Sequence, residues 1–404
     1  MNPSDTERGQ AWLGNFTEEE QAPARLLLDG LDLVGQDRLR TDLTRTIQSL
    51  AATLPTPIAL VPVRELGPGQ SYFATSTRDA KPALLNAASF PGSEALIANI
   101  ATGLRRADAN DGPFVGAPSL RNMRAARCRT VLFVDDFSGS ANRILDFDRA
   151  FRRHPTIRSW LNLKWIRIHV VVFAATERAR DRLETYFGKD RVHVHRMCPT
   201  FVTRPWTPSE RADVDALCRK YYVPTDKAGP YGYQDSRGLM AFLHSVPNNL
   251  PPLLWQRGRR RGSWRSFFLN QTVPSDLDAL FGDASPDQRA EETLQRLHQQ
   301  RLAEGEWRAA AGSETTRILL VLAALARRPA RVNQIVSLTG LAFSEANAVL
   351  AACRQWGLVG STLRLSDAGL RELAYAKGLA LRDAIPPLHG SDEPYYPRSL
   401  RVGR

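Results

Sequence analysis

Apolar runs alternate with amphipathic stretches over the first two hundred residues. Leucine, isoleucine and valine recur at helical spacing over about 11–54, which predicts helical structure up to Pro55. Thr17, followed by three glutamates, has the form of a helix N-cap with an acidic first turn. Near-continuous apolar runs then appear at 58–63, 131–134, 165–174 and 191–197. Because helical patterns separate these buried strands, we predict an α/β fold with a mostly parallel sheet.

A different pattern occupies residues 314–379. Helical spacing over 315–326, 333–338 and 344–356 is followed by two short apolar segments around a turn and by a last helix at 367–376. Helix, helix, turn, helix and β-wing is the order of a winged helix-turn-helix domain. We expect Ser344 to cap the third of these helices.

The segments between the two patterns set the predicted domain boundaries. Residues 199–270 are rich in Pro, Gly, Tyr and Trp, which predicts irregular structure packed on the sheet. Residues 271–312 carry charges on every helical face, as a linker does. The predicted order is an N-terminal helical cap (1–57), the sheet domain (58–270), a helical linker (271–312), the winged helix (313–386) and a tail (387–404).

Composition narrows the classes of function. Among the 404 residues, 54 Lys and Arg oppose 42 Asp and Glu, a formal net charge of +12. Nearly all of the positive charge is arginine, which favours a polyanion or a phosphorylated ligand, although an Arg- and Ala-rich chain also reflects a GC-rich genome. No apolar run approaches the ~20 residues that span a bilayer. With four scattered cysteines and no apolar leader, we expect a cytoplasmic protein without a membrane partner.

The segment 131–142 carries the most chemical information. Four apolar residues lead to two acids, Asp135 and Asp136, and then to a loop of small residues before a helix: Ser138, Gly139, Ser140, Ala141 and Asn142. Ligands bind at the carboxyl ends of parallel strands, and amides at a helix N-terminus attract phosphate. The carboxylates would then reach sugar hydroxyls and hold Mg²⁺ through its waters. Response regulators and other doubly wound sheets share the strand and paired acids.

This segment resembles the phosphoribosyltransferase fold. The resemblance implies that Asp135 and Asp136 hold ribose hydroxyls and that the loop 138–142 binds the 5-phosphate of phosphoribosyl pyrophosphate. The strand ending at residue 63 would lead into the family's pyrophosphate loop, which makes Arg64, Glu65 and Ser71 pyrophosphate candidates. A surface ion pair explains Arg64 and Glu65 equally well.

A closer resemblance extends over about the first 270 residues. It rests on five motifs in order: 12–16, 135–140, 232–233, 247–249, and Pro252 with Trp255. Together these are similar to the phosphoribosyltransferase-like conflict-effector family, bacterial defence proteins of which some are encoded with retron reverse transcriptases and some carry a winged helix. The resemblance implies a toxic effector that acts on a phosphoribosyl compound or nucleotide, with a nucleic acid such as msDNA and a reverse transcriptase as partners.

Two positions depart from that family pattern. Ala141 stands where the family usually has Gly, and Arg143 where it often has Ser or Thr. The methyl group of Ala141 narrows the space through which a phosphate would approach the backbone. Arg143 either compensates for this by its charge or points away on the helix. No carboxylate occurs within 137–142, which disfavours ordinary nucleobase salvage. A ligand-sensing transcription regulator and an inactive scaffold are the alternatives. Any ligand-binding function requires the two acids to be reachable.

The winged helix is a second candidate site. Its third helix offers Ser344, Asn347 and Arg354, and Arg364 lies in the wing, so these residues are candidates for nucleic-acid contact. A protein-docking or dimerisation role is the alternative. Separately, His193 and His195 lie on one face of a strand. We interpret them as part of a solvated strand face in preference to a pair of metal ligands.

Overall fold

The computed structural model describes residues 2–67, 69–83, 93–107, 112–224, 228–256, 264–282, 290–303 and 312–380. The tail expected at 387–404 lies outside these residues. The chain divides into two compact units. The first comprises Met1–Thr200 and Ala212–Gly282, and the second comprises Phe201–Arg211 and Asp283–Arg404.

Parallel strands form the centre of the first unit. In chain order the strands are β1 (Asp32–Val34), β2 (Ile58–Pro62), β3 (Thr130–Ser138), β4 (Arg167–Ala175), β5 (Val192–Met197) and β6 (Met240–Phe242). A four-stranded sheet has the order β2-β3-β4-β5, and β1 pairs with β6 in a separate two-stranded sheet. Every one of these pairings is parallel. The predicted mostly parallel α/β fold is therefore confirmed.

Helices precede, follow and separate these strands. They are α1 (Glu7–Leu13), α2 (Glu18–Asp29), α3 (Gln36–Ala51), α4 (Ser93–Ala107), α5 (Leu120–Ala125), α6 (Asn142–Arg152), α7 (Pro155–Asn162), α8 (Glu177–Phe187) and α9 (Pro208–Tyr221). Short 3-10 turns lie at Pro3–Asp5, Lys189–Arg191, Tyr233–Asp235, Pro252–Leu254 and Ser275–Phe281.

Two local predictions for residues 11–270 were wrong. The stretch 11–54 is not continuously helical, because β1 interrupts it between α2 and α3. Leu33 and Val34 are buried there and pair with β6, so a partner two hundred residues away overrides the helical pattern. The segment 199–270 also contains α9, whose buried side chains include Val214 and Leu217.

The central sheet is covered on both faces. Along β3, Val131 and Phe133 belong to one apolar cluster, and Leu132 and Val134 belong to the other. Helices α5 to α8 pack on the first face, whereas α3 and α4 pack on the second. Each fully buried Phe, such as Phe133, contributes about 1.5–3 kcal/mol of burial free energy. This packing holds the carboxyl end of β3 rigidly in place.

The second unit has the predicted winged-helix order. Its helices are α10 (Ala290–Arg296), α11 (Gln300–Ala303), α12 (Ser313–Leu325), α13 (Val332–Thr339), α14 (Phe343–Gln355) and α15 (Asp367–Ala380). An antiparallel bridge between Val359 and Leu365 forms the wing. Helix α14 begins one residue earlier than predicted, and Ser344 is not its cap. Instead the amide of Ala342 donates to Glu345 Oε2 at 2.9 Å.

Within the part of the chain that the structure describes, no single helix is long and apolar enough to cross a bilayer. Only α13 and α14 taken together, bent by 112°, would meet that criterion by length and composition.

Candidate functional site

The two acids lie inside β3 rather than at its tip. The strand continues beyond them because Phe137 and Ser138 still pair with Ala174 and Ala175 of β4. Asp135 and Asp136 are 1% and 3% exposed. The expectation that the strand ends at the acids is thus wrong by two residues, and the carboxylates lie deeper than a strand tip would place them.

Arg143 and His244 together occupy all four carboxylate oxygens. Arg143 donates from Nη2 to Asp135 Oδ1 at 2.5 Å and from Nε to Asp135 Oδ2 at 3.2 Å. The same Nη2 lies 3.0 Å from Asp136 Oδ1 and 3.3 Å from the carbonyl oxygen of Phe137. His244 Nε2 lies 2.9 Å from Asp136 Oδ2. Every carboxylate oxygen of the two acids therefore has a side-chain partner within the protein.

This cluster separates the titration of the two acids. Burial and the adjacent charge of Asp136 outweigh the attraction of Arg143 and raise the pKa of Asp135 above its usual range. Burial also acts to raise the pKa of Asp136, but the hydrogen bond from His244 and the charge of Arg143 bring that pKa below its usual range. Although burial opposes it, the two carboxylates raise the pKa of Arg143. Asp136 is consequently the firmly ionised member of the pair.

The cover over the acids is polar and thin. The Arg143 side chain is 34% exposed, while the acid side chains beneath it are 2% and 4% exposed. Carboxylates are the ligands that Mg²⁺ prefers, but none of their oxygens is free in this arrangement. The predicted magnesium site therefore requires Arg143 to leave the acids.

The loop after β3 leaves backbone donors unused. Within the described part of the chain, the amides of Gly139, Ser140 and Ala141 donate to no protein acceptor. They precede the 11-residue helix α6, whose N-cap Ala141 forms no side-chain cap hydrogen bond. Free amides at a helix N-terminus attract an anion. The predicted phosphate loop thus has the donors that a phosphate requires.

Ala141 adopts a backbone conformation that favours glycine. Its φ and ψ are 70° and −10°, in the left-handed region, where a side chain costs roughly 1 kcal/mol. A glycine at this position in the family pattern therefore has a conformational reason. Ala141 is 2% exposed, and its methyl group packs in the core cluster beneath α6.

Residues from distant motifs pack around the loop. A Cβ on Gly139 would collide with the side chain of Asn249, and a Cβ on Gly232, whose φ is 91°, would collide with the Asn249 carbonyl. Thr176 Oγ1 donates to the Gly139 carbonyl at 2.7 Å. Tyr233 lies 3.4 Å from Asn142 Nδ2 through its hydroxyl. The motifs near 232 and 249 therefore shape this loop.

The contacts that two arginines and one histidine make at this site were not predicted. Arg182 on α8 donates to the carbonyl of Ser140 and, at 3.0 Å, to Asn142 Oδ1. His244 follows β6 and had no motif around it that could have indicated a role. Arg143 was noticed as a departure, but it neither points away nor stays with the loop, because its guanidinium turns back onto the acids.

The comparisons with known proteins agree with this geometry. A family model described as PRTase-CE matches residues 10–269, more than half of the chain. The chain belongs to the PRTase-CE family. A second model, described as wHTH-PRTase associated, matches residues 319–402. No curated protein and no solved structure matches the chain. The predicted family and its C-terminal winged helix are thereby confirmed.

In this PRTase-CE chain, the loop after β2 has its own internal contacts. Arg64 donates to the carbonyls of Ala83 at 2.9 Å and Tyr72 at 3.0 Å, and its guanidinium lies 4.9 Å from the Tyr72 ring centroid. Glu65 is exposed and Ser71 is half-buried. Arg64 thus orders the loop around it, and the pyrophosphate role of the three residues stays a prediction.

The two histidines of β5 make separate contacts. His193 Nε2 lies 3.2 Å from His169 Nδ1 of β4. His195 contacts Thr46 Oγ1 at 3.0 Å and Asp42 Oδ2 at 3.5 Å. Among the residues that the structure describes, no group of three metal-ligating side chains occurs. Contacts within the protein account for both histidines.

The winged-helix candidates lie on the outer surface of the second unit. Ser344, Asn347 and Arg354 are exposed along one face of α14, and Arg364 is exposed in the wing. Leu350 and other apolar residues on the opposite face are buried. The exposed positions suit contact with a partner, and nucleic acid as that partner stays a prediction.

Proposed function

We propose that the first unit binds a phosphoribosyl compound or nucleotide and cleaves or transfers at its anomeric carbon. The observation that carries the proposal is the juxtaposition of two buried acids with free backbone amides at the start of α6. A phosphate would accept hydrogen bonds from the amides of 139–141. The ribose hydroxyls would then donate to Asp135 and Asp136 in place of Arg143.

The charge of the acid pair suits the proposed reaction. Cleavage at the anomeric carbon develops positive charge on the sugar, which nearby carboxylates stabilise in a site shielded from water. Asp136, with its lowered pKa, supplies the permanent negative charge. Asp135 and Asp136 would hold Mg²⁺ through its waters, and the ion would supply charge neutralisation for pyrophosphate where that is the leaving group.

We further propose that the protein is the effector of a bacterial anti-phage system of the retron type. The conflict-effector family to which the chain belongs supports this role. The associated winged helix and the net charge of +12 support contact with a nucleic acid such as msDNA, through Ser344, Asn347, Arg354 and Arg364. A reverse transcriptase is the proposed protein partner, and the cytoplasm is the proposed location.

One observation favours a second candidate function. All four carboxylate oxygens are already paired, so the described site presents no free base. A domain of this kind could bind a phosphoribosyl ligand without turnover. The winged helix would then report that binding as a change in DNA affinity, as a ligand-sensing transcription regulator does.

The test separates catalysis from sensing. The full chain is titrated calorimetrically with phosphoribosyl pyrophosphate, with Mg²⁺ present or chelated, and pyrophosphate release is followed. Asp135→Asn and Asp136→Asn should weaken binding and abolish release, whereas Asp146→Asn on the exposed side of α6 should change neither. Binding without release supports the sensor. Absence of binding to phosphoribosyl pyrophosphate, ribose 5-phosphate and AMP contradicts both functions.

A further inference from the structure

The Arg143 side chain connects the two ends of the phosphate loop. Its backbone belongs to the first turn of α6, directly after the free amides of the loop. Its guanidinium reaches back to Asp135, Asp136 and the Phe137 carbonyl, in the strand that leads into this loop. One side chain therefore lies between the phosphate donors and the acids that would hold the sugar.

Electrostatics make this position costly to vacate. Removing the guanidinium leaves Asp136 with His244 as a partner and Asp135 with the backbone amide of Asp136, which replaces none of the lost charge on Asp135. A sugar alone offers neutral hydroxyl donors, which do not replace the lost charge. A free ribose would thus have to displace Arg143 without compensation.

A phosphate in the loop changes that balance. It would lie beside the first turn of α6, from which Arg143 projects, and arginine forms bidentate hydrogen bonds with phosphate. The Arg143 side chain is one-third exposed, so a rotation about its own side-chain bonds can move the guanidinium away from the acids. Phosphate binding therefore offers Arg143 a second anionic partner and opens the acids to hydroxyl groups.

We propose that Arg143 is a specificity-determining residue that makes access to Asp135 and Asp136 conditional on a phosphate in the adjacent loop. This inference rests on the proposed function, since it concerns how the same site selects its ligand. The site would accept a sugar that carries its own phosphate and reject the unphosphorylated sugar. The exchange of Arg143 between the acids and the phosphate is the discriminating step.

The experiment uses ribose and inorganic phosphate as separate fragments. Calorimetry on the full chain measures ribose affinity with and without saturating phosphate. In the wild-type chain, phosphate should strengthen ribose binding by about tenfold, which is within the usual range of coupling between two sites. In Arg143→Gln, ribose should bind equally well with and without phosphate, because no guanidinium covers the acids.

Matched variants and ligands complete the design. Arg149→Gln, on the same helix and in an ion pair with the exposed Asp146, should retain the wild-type coupling. Arg143→Lys keeps the charge without the fork and should show reduced coupling, which also serves if Arg143→Gln does not fold. Undiminished coupling in the Arg143 variants would overturn the inference alone. If ribose 5-phosphate, phosphoribosyl pyrophosphate and AMP also fail to bind the wild-type chain, the proposed function itself is wrong and the inference is wrong with it.

Discussion

Helices α6 and α14 are the candidate binding helices of the two units, and their first turns differ. Ala141 leaves the amides before α6 without a side-chain cap, and Arg143 turns inward onto two acids. At α14, Glu345 accepts from the amide of Ala342 and lies 3.6 Å from Arg317. One helix start is thus open to an anion, whereas the other has an acid at its first turn.

The difference implies two modes of recognition. Helix α6 can bind through backbone amides, so its selectivity depends on what its charged neighbours permit. A partner of helix α14 would have to contact side chains along its exposed face, because Glu345 would repel a phosphate at its N-terminus. Loss of one side chain should therefore have a large effect at α6 and a small one at α14.

Arg143→Ala should have the largest effect on stability. Removing one partner of a buried ion pair typically costs about 3–5 kcal/mol of unfolding free energy, and we expect the lower end of this range because Arg143 is one-third exposed and Asp136 keeps His244. Arg149→Ala on α6 and Arg354→Ala on α14 are exposed controls and should change unfolding by less than about 0.5 kcal/mol. Urea denaturation, monitored by hydrogen exchange in peptides from each helix, measures the unfolding free energy of each variant. Equal losses for all three variants would remove the contrast between α6 and α14.

Acid should destabilise the sheet unit without involving the exposed face of α14. Burial and the nearby charge of His193 lower the pKa of His169 from 6.5 to about 4. The unfolded chain therefore binds more protons over this range, so stability is full above pH 6.5 and is lost as pH falls toward 4. With allowance for solvent screening, we expect a loss of about 1–2 kcal/mol.

Urea midpoints of the sheet unit at pH 7 and pH 5 measure this loss. His169→Gln removes the titrating group and should flatten the dependence. Helix α14 contains no histidine, so peptides from α14 should show no such change. An unchanged slope in His169→Gln would assign the acid sensitivity to other groups.

The same substitution should act differently on the two helices. Ala141→Gly relieves a left-handed residue but deletes a buried methyl group, so the two effects should cancel to within about 0.5 kcal/mol. Ala348→Gly, exposed in the middle of α14, should cost about 1 kcal/mol. Thermal unfolding of the two variants compares them directly. A larger loss for Ala141→Gly would mean that burial of its methyl group outweighs the backbone strain.

The sequence predicted the elements whose signals are local. The apolar run before Asp135, the small-residue loop and the winged-helix order are all visible as patterns within one segment. Strand β1 was not predicted, because its three residues become a strand only by pairing with Met240–Phe242. The N-cap of α14 was predicted at Ser344, two residues too late. The structure has Ala342 at the N-cap, and the amide of Ala342 donates to Glu345.

The site was predicted by residue but not by contact. Asp135 and Asp136 were identified from their position after a strand, yet their burial depends on Arg143 and His244. The Arg143 side chain turns toward the charge of Asp135 and Asp136. The hydrophobic periodicity of the sequence does not encode that contact. His244 contributes from 108 residues further along the chain, and no motif near it indicates a role.

That separation has a consequence for synthesis. The ribosome completes Asp136 well before His244, and at about 5–20 residues per second the interval is on the order of 5–20 s. Trp12 likewise forms its hydrogen bond only after Leu253 has been synthesised. The Trp12 indole Nε1 donates to the Leu253 carbonyl oxygen at 3.2 Å. A nascent chain that has already exposed its twin acids still lacks the residues that finish their enclosure. The enclosure of Asp135 and Asp136 is thus completed only after translation has passed His244.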